Sequence, residues 1–565
     1  MHGVPHNSFH PYGIPRASTC EKNRTVIPAG FSPLFLFPVL FCSRHRQTEM
    51  ASATEPRADR LDVKNISPLE SPEDTDGVAT LRGDEESGEK IPQEALDDSD
   101  PNAVGWDGPD DPQNPMNWSE SKKWLNVMAV SVLTLLTPLG SSMVAPGVPS
   151  IMRDMESTNI NIATFIVSVY IMGFAFGPLV FAPMSELYGR VIIYHICNVV
   201  FIVFAVGTAL STNIPMLIIF RLLTGTAGST PLTNGSGTIA DMFPIEKRGR
   251  AIAVWAVGPL LGPCFGPVAG GYIVQYLNWH WVFWVSVIAG GVITVAAFFV
   301  LDETYAPTIL AAKAKRLRKE TGNPDLYSVL EDRGKTQTQH IQRAIARPMK
   351  MLIRLLPITV LALYAAVSYG VLYLMFSTFT FVFSQQYGFN TGTVGLAYLP
   401  TGIGMLIGVA VFGAFSDKII QQVQAEGRAP TPEDRLPHWM TLGSGVCVTA
   451  GLFWYGWATE ANTHWIVPML GVSLFCFGLI GSMMCAQTYL VDTYVTYAAS
   501  VIAALTVFRS LLGALLPLAG LTMYQDLGWG WGNSVLAFIS LVLIPIPLVF
   551  RIWGPSIRAK YPLDF

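Results

Sequence analysis

Ala182-Pro-Met-Ser-Glu186 and Gly413-Ala-Phe-Ser-Asp417-Lys418 carry one pattern twice: small residues, then Ser, then an acid. Each follows an apolar stretch long enough to cross a bilayer. Ser185 lies 61 residues after the first such stretch begins at 124, and Ser416 lies 59 residues after the seventh begins at 357. Two matches in one register read as an internal repeat of six spans against six, joined by a long middle loop. That is the plan of a transporter built from two halves.

A bilayer core about 30 Å thick needs about 20 apolar residues per helix. Working outward from the repeat, twelve stretches qualify: 124–146, 162–182, 191–210, 216–238, 251–273 and 280–301, then 357–380, 394–415, 440–459, 465–490, 499–522 and 531–551. Helices satisfy their own backbone groups in lipid, so the body is read as an all-α membrane protein. Composition agrees. Of 565 residues, 51% are hydrophobic and 13% charged, with mean hydropathy +0.40; soluble domains carry roughly 25% charged residues. These figures argue against a multidomain soluble chain, a small secreted scaffold, a collagen and a coiled coil.

The formal net charge of -4 hides an uneven spread. Residues 51–123 hold 19 Asp and Glu against 7 Lys and Arg, whereas 124–565 hold 19 against 24. The acidic segment is rich in Pro and Ser and is expected to be disordered. Before it, Ile27 to Cys42 is apolar but broken by three prolines. Met50-Ala-Ser is read as the start of translation, which leaves 1–49 outside the mature protein; a disordered extension is the other reading. Lys and Arg crowd one set of loops: Lys122, Lys123, Arg190, Lys247, Arg248, Arg250, ten between 302 and 350, Lys418, Arg428, Arg435, Arg551, Arg558 and Lys560. The alternate set holds only Arg153. Both termini are therefore expected in the cytoplasm. Five of the seven Cys fall inside spans, so no disulfide framework is expected.

The expected organisation follows: 1–49 an extension, 50–123 an acidic cytoplasmic tail, 124–301 a six-helix bundle, 302–350 a cytoplasmic linker, 351–553 a second six-helix bundle, and 554–565 a short tail. Within the linker, Pro307 and Gly322 bracket a helix bearing Lys313, Lys315, Arg316, Arg318 and Lys319. It reads as a solvated linker helix or as one lying on the anionic inner leaflet.

Ala182-Pro-Met-Ser-Glu-Leu-Tyr-Gly-Arg190 resembles the loop 2–3 signature of the major facilitator superfamily. Glu186, Gly189 and Arg190 match, while Ala182 and Val191 depart from it. An acid near one helix end can latch onto an Arg, and Asp241 and Arg250 in the next loop on that side are candidate partners. Arg221, in Phe-Arg-Leu-Leu-Thr-Gly of span 4, resembles the superfamily's arginine linked to proton transfer, and Arg509 is its counterpart in span 11. A buried Arg costs about 2.5–3.5 kcal/mol in a span, so each should face a partner or an aqueous cavity. Clamping backbone carbonyls is the structural alternative.

Span 5 is sharper. Gly258, Gly262, Gly266 and Gly270 recur every fourth residue, followed by Gly271, with Pro259, Pro263 and Pro267 beside them. Small residues four apart let helices approach closely. The string strongly resembles the antiporter signature of drug-exporting major facilitators. Asn114-Pro-Met-Asn-Trp-Ser119, Asn278-Trp-His-Trp-Val-Phe-Trp284 and Asp302-Glu-Thr-Tyr-Ala-Pro307 resemble strings of the fungal twelve-span drug:proton antiporters. The resemblance covers 114–553. It implies the major facilitator fold, with two pseudo-symmetric six-helix bundles around one site. It also implies a monomeric plasma-membrane efflux pump that exchanges a small molecule for protons. Such a protein is a transporter and no enzyme, and no cofactor, metal or nucleic acid is expected.

Tyr369, Tyr373 and Phe376 share one face of span 7, either packing the bundle or walling a cavity. Thr134, Thr137, Ser141 and Ser142 offer hydroxyls to substrate or to their own helix. No Asp or Glu lies deep in a span. That favours neutral or weakly anionic amphipathic cargo, such as drugs or secondary metabolites, over polyamines. An uptake porter and a transporter-like receptor are the remaining alternatives. A nucleotide-driven pump lacks its phosphate loop here. Glu186, Asp241, His195 and His280 are the candidate proton carriers.

Overall fold

The computed structural model describes residues 102–330 and 337–561. The expectations for 1–49 and for the tail up to residue 101 lie outside the described residues.

Each of the twelve predicted stretches falls on helix. In the first half, α1 (Glu120–Ser142) is followed by the short α2 (Val148–Asp154), then α3 (Ile160–Tyr188) and α4 (Arg190–Ala209). Span 4 is broken at Ser229 into α5 (Ile214–Gly228) and α6 (Thr230–Met242). The half closes with α7 (Ile245–Tyr276) and α8 (Trp279–Val300). The linker holds α9 (Ala306–Thr321) and α10 (Gln337–Arg354). The second half opens with α11 (Leu356–Gln385), then α12 (Thr391–Leu396) and α13 (Leu399–Ala425), which together make span 8. It continues with α14 (His438–Glu460), α15 (Ile466–Thr493), α16 (Ala498–Leu515), α17 (Gly520–Leu543) and α18 (Pro545–Lys560).

Nine helical segments among the described residues are long and apolar enough to span a membrane by composition. The other three spans escape that test for local reasons. The two pieces of span 4 are each too short, α14 is diluted by polar and glycine residues, and spans 11 and 12 run together from 498 to 560. Gly528 makes the corner between those last two. Its φ of 75° is left-handed, so a side chain there would strain the turn.

α1 packs along α7, α3 between α5 and α16, and α14 between α15 and α17. Apolar residues face outward where lipid would lie: on α8, Val292, Val295, Phe298 and Phe299 are all exposed. In water such a patch would be a liability; in a bilayer it is the contact surface.

Four expectations need correction. The repeated Ser-acid pattern does not follow its span but belongs to the same helix: Ser185 lies near the end of α3 and Ser416 well before the end of α13. The linker is longer than 302–350 and contains the second helix, α10, running to Arg354. The acidic tail is ordered from 102 onward and docks on the linker. Strand β1 (Ala103–Val104) pairs in parallel with β2 (Tyr327–Ser328). Lys313, expected on a basic surface, is buried. Its ammonium lies 2.6 Å from Asp107 Oδ1, 3.5 Å from Asp111 Oδ2 and 3.0 Å from the Gly105 carbonyl.

Composition marks this segment as disordered, but the individual positions order it. Asp111 also accepts the N–H groups of Asp107 and Gln113. Burial pushes its carboxyl up, yet those two N–H groups and Lys313 together hold it below the usual carboxylate range. Asn117 donates its amide to the carbonyls of Pro109 and Asp111, and Ser119 caps α1. The Asn-Pro-Met-Asn-Trp-Ser string is therefore a folded lead-in to span 1.

Removing Lys313 leaves two carboxylates facing each other with no cation. Lys313→Ala should therefore free this strap, raising amide exchange over 103–113 at least tenfold while the transmembrane helices keep their protection. Because the Asp111 carboxyl is lowered, the clamp is present above the ordinary carboxylate pKa and is lost as pH falls below it. Hydrogen-exchange mass spectrometry on the detergent-solubilised protein reads both effects.

Candidate transport site and gates

Arg190 organises the end of the first half that carries the basic loops. Gly189 (φ 102°) breaks the chain between α3 and α4 and lets Arg190 begin α4. The Arg190 side chain donates to Ser185 Oγ at 2.8 Å and to Asp241 Oδ2 at 3.3 Å, and lies over the Tyr305 ring at 4.8 Å. Glu186 sits further out, 4.0 Å from the guanidinium and half exposed. Glu303 completes the site. Its two oxygens accept the N–H groups of Arg190 and Val191, at 2.9 and 3.1 Å. A carboxylate on free N–H groups at a helix start is stabilised by the helix dipole. Thr304 also donates to Asp241. Of the two expected partners, Asp241 joins the cluster and Arg250 does not. Arg250 stacks on Trp124, 5.4 Å from the ring centre.

The second half repeats this clamp. Arg435 donates to Asp492 Oδ2 at 2.6 Å and to Ser416 Oγ at 3.2 Å. Ser185 and Ser416, the repeated serines, thus do the same job for Arg190 and Arg435. Arg435 belongs to the basic loops of the sequence analysis, which does not join it to Asp492. Each clamp spans separate elements, so only the repeat hinted at it. Asp434, next to Arg435, is pushed up by burial, but the paired bond from Arg428 and the N–H and O–H of Thr431 bring it down to about 2.

The glycine stripe of α7 faces α1. A Cβ on Gly266 would stand 2.2 Å from Ser142 Oγ, and one on Gly270 only 1.9 Å from the Met143 carbonyl. Gly258 and Gly262 face Ser131 and Pro138 of the same helix. The other face of α7 meets the second half. Gly271 lies against Thr391, the Pro267 carbonyl lies against Gly395, and Cys264 lies against Gly402. The three prolines Pro259, Pro263 and Pro267 remove N–H donors from α7. Ser131 donates to the Trp255 carbonyl at 3.3 Å, meeting the acceptor that Pro259 leaves free, and Ser142 donates to the Gly262 carbonyl at 3.2 Å.

The halves also join at the end away from the basic loops. Thr380 donates to the Ala145 carbonyl at 3.0 Å, Gly392 N–H to Gln275 Oε1 at 2.8 Å, and Ser168 to the Ala514 carbonyl at 2.8 Å.

Arg221 is 1% exposed and donates to the Ile166 and Ser141 carbonyls, at 2.6 and 3.2 Å. It lies between the Tyr170 and Phe283 rings. It therefore clamps carbonyls inside the first bundle. Arg509 lies 5.1 Å over the Tyr369 ring, beside Gly513, which also touches Ile171 of the first half. Of the expected cavity hydroxyls, Thr134 bonds the Val130 and Pro231 carbonyls and accepts Trp255 Nε1. Thr137 bonds the Gly228 carbonyl. Both join helices to one another. Ser141 Oγ is buried, and its carbonyl serves Arg221. Tyr373 and Phe376 are buried and continue through Phe379 into an aromatic ladder inside the second bundle, whereas Tyr369 is half-buried at the meeting of the halves. His195 packs on exposed Phe298, and His280 stacks on Trp279.

The Major Facilitator Superfamily family model matches residues 130–517. The chain belongs to this superfamily. It is 48% identical to the MFS-type transporter penM of Penicillium rubens over 82% of this chain and 92% of that one. It is 48% identical to the efflux pump radE of Floropilus chiversii over 88% and 90%. Among solved structures it is similar to the xylose transporter XylE of E. coli in a partially occluded inward-open conformation. That match has a TM-score of 0.55 at 15% identity and covers 76% of this chain and 97% of the other. The major facilitator fold has twelve membrane helices, which the broken and merged spans above supply. This major facilitator is a multi-pass membrane transporter and no enzyme.

Two predictions test the packing and the clamp. Gly270→Ala overpacks a backbone contact and should cost about 1–3 kcal/mol, lowering the melting temperature of the purified transporter. Gly291→Ala on α8 meets nothing within 4 Å and should leave the melting temperature unchanged or slightly raised. Arg190→Ala leaves Asp241 without its cation and should cost about 3–5 kcal/mol, the usual penalty for breaking a buried pair. Arg190→Lys should not restore it, because an ammonium cannot span Ser185 and Asp241 as a planar fork does. Thermal unfolding of the three proteins side by side gives the comparison.

Proposed function

We propose that this transporter exports uncharged or weakly anionic amphipathic small molecules across the plasma membrane in exchange for protons. It works as a monomer by alternating access, with both termini and the basic loops in the cytoplasm. The excess of Lys and Arg at one end supports that orientation. With that end inside, the contacts from α7, Thr380 and Gln275 close the outer side and leave the transporter facing in. The printed name of the relative radE, an efflux pump, supports the outward direction.

The observation that carries this reading is α7. Its antiporter-like stripe seats one face on α1 and the other on α12 and α13. One helix therefore couples the interior of the first half to the seal between the halves. The nature of the cargo rests on charge. Apart from the exposed Asp417 and Asp526, the Asp and Glu residues of the described helices sit near helix ends, and Arg509 lies over Tyr369 where the halves meet. A polycation would meet only positive charge there. Arg190 and Arg435, with their Ser and Asp partners, are proposed as the two inner latches. Glu186 and Asp241 are the proposed proton carriers, being carboxylates at the inner mouth.

Inside-out vesicles from cells overproducing the protein should accumulate an uncharged dye such as Nile red when acidified within. A protonophore should reduce that accumulation to the level of vesicles lacking the protein. Spermidine in tenfold excess should not compete. Accumulation that survives the protonophore would refute proton exchange, and competition by spermidine would favour the polyamine exporter.

A further inference from the structure

A cavity lies at the end of the molecule away from the basic loops, between the two halves. It encloses about 310 Å³, which is within the range of small-molecule sites. The first half supplies Met152 of α2 and the start of α3. The second half supplies Phe381 and Gln385 of α11, and Tyr524, Gln525 and Trp529 of α17. Met152 and Tyr524 are buried and form its floor, while Gln385 and Gln525 are exposed at its rim.

The chemistry of the lining is specific. The Tyr524 and Trp529 rings lie 4.8 Å apart. The Tyr524 hydroxyl is taken by Asn533 at 3.0 Å, which leaves its ring for contact. The amides of Gln385 and Gln525 have no hydrogen-bond partner among the described residues. No Asp, Glu, Lys, Arg or His lines the cavity. An aromatic wall with free amides and no charge suits a flat, uncharged molecule with a few hydroxyl or carbonyl groups.

The walls belong to different halves, and the seal runs alongside: Thr522 donates to Asn161 Oδ1 at 3.4 Å. Outward opening must separate α3 from α17 and divide the cavity. A ligand held by both walls therefore binds the sealed state alone and can only stabilise it. We propose that this cavity is an outward-facing brake site, at which an uncharged aromatic amphipath arriving from outside holds the outer seal shut and slows export. The proposal rests on the orientation and direction given under the proposed function. Its strength follows from linkage. At ten times the dissociation constant, the ratio of outward-open to sealed protein falls about elevenfold.

The probe is 4-methylumbelliferyl glucoside, a planar uncharged aromatic that crosses bilayers poorly. Binding to the purified full-length protein is read by tryptophan quenching, and dye export is read in intact cells with the probe outside. The expected result is saturable quenching and inhibition of export from outside. A Gln385→Leu/Gln525→Leu protein should export normally but need at least tenfold more probe for both effects. Ser157→Trp, at a first-half residue that lines the cavity, should crowd it and abolish binding. Equal inhibition of wild type and both variants, or no binding to wild type, overturns the proposal. Binding that the variants lose, with inhibition only when the probe enters from the side of the basic loops, keeps the site and overturns the orientation instead.

Discussion

A charge placed in hydrocarbon costs several kcal/mol, and the design of this transporter turns on where that cost is avoided. Carboxylates of the described helices are exposed, as at Asp417 and Asp526, or kept near helix ends. There they clamp Arg190 and Arg435, cap α4 through Glu303, and hold the strap through Lys313. The one arginine deep in the first bundle, Arg221, is surrounded by carbonyl oxygens and aromatic faces, which stabilise it without a counter-charge. Interior polarity is then left to hydroxyls such as Thr134 and Thr137, and these join helices together. Under the proposed function, a cargo entering this interior meets aromatic walls and no carboxylate, which fits amphipaths without positive charge.

Much of this was legible in the sequence, and the legible parts share a cause. Twelve apolar stretches, the glycine stripe and the paired serines are periodic or repeated, so they survive without knowledge of tertiary contacts. The helix at 306–321 was visible because Pro307 and Gly322 punctuate it. What escaped depended on pairing across long separations. Arg435 finds Asp492 through the packing of a loop against α15. Asp107 and Asp111 find Lys313 some 200 residues away, so a segment of disordered composition becomes ordered. The hydroxyls on α1 show the same limit from the other side. Their spacing suited a cavity wall, but helix crossings turned them into bundle contacts.

The two faces of α7 give the molecule its coupling. Close backbone approach to α1 leaves little room for sliding, because a shift of even one residue would bring side chains into the glycine positions. The contact with α12 and α13 is made by a different set of small residues and by one glutamine. It has fewer polar ties, so it can part while the first remains. A rigid joint on one side and a separable one on the other is what rocking two bundles past each other requires.

The two latches also differ in what lies beyond them. α3 ends three residues after Ser185, whereas α13 runs nine residues past Ser416. At 1.5 Å per residue, that places the tip of α13 about 13 Å beyond its latch, against about 5 Å for α3. The pseudo-twofold relation therefore holds for the clamps and fails for their levers. A rotation that hardly displaces the end of α3 sweeps the end of α13 through a wider arc, so the second half has the longer arm.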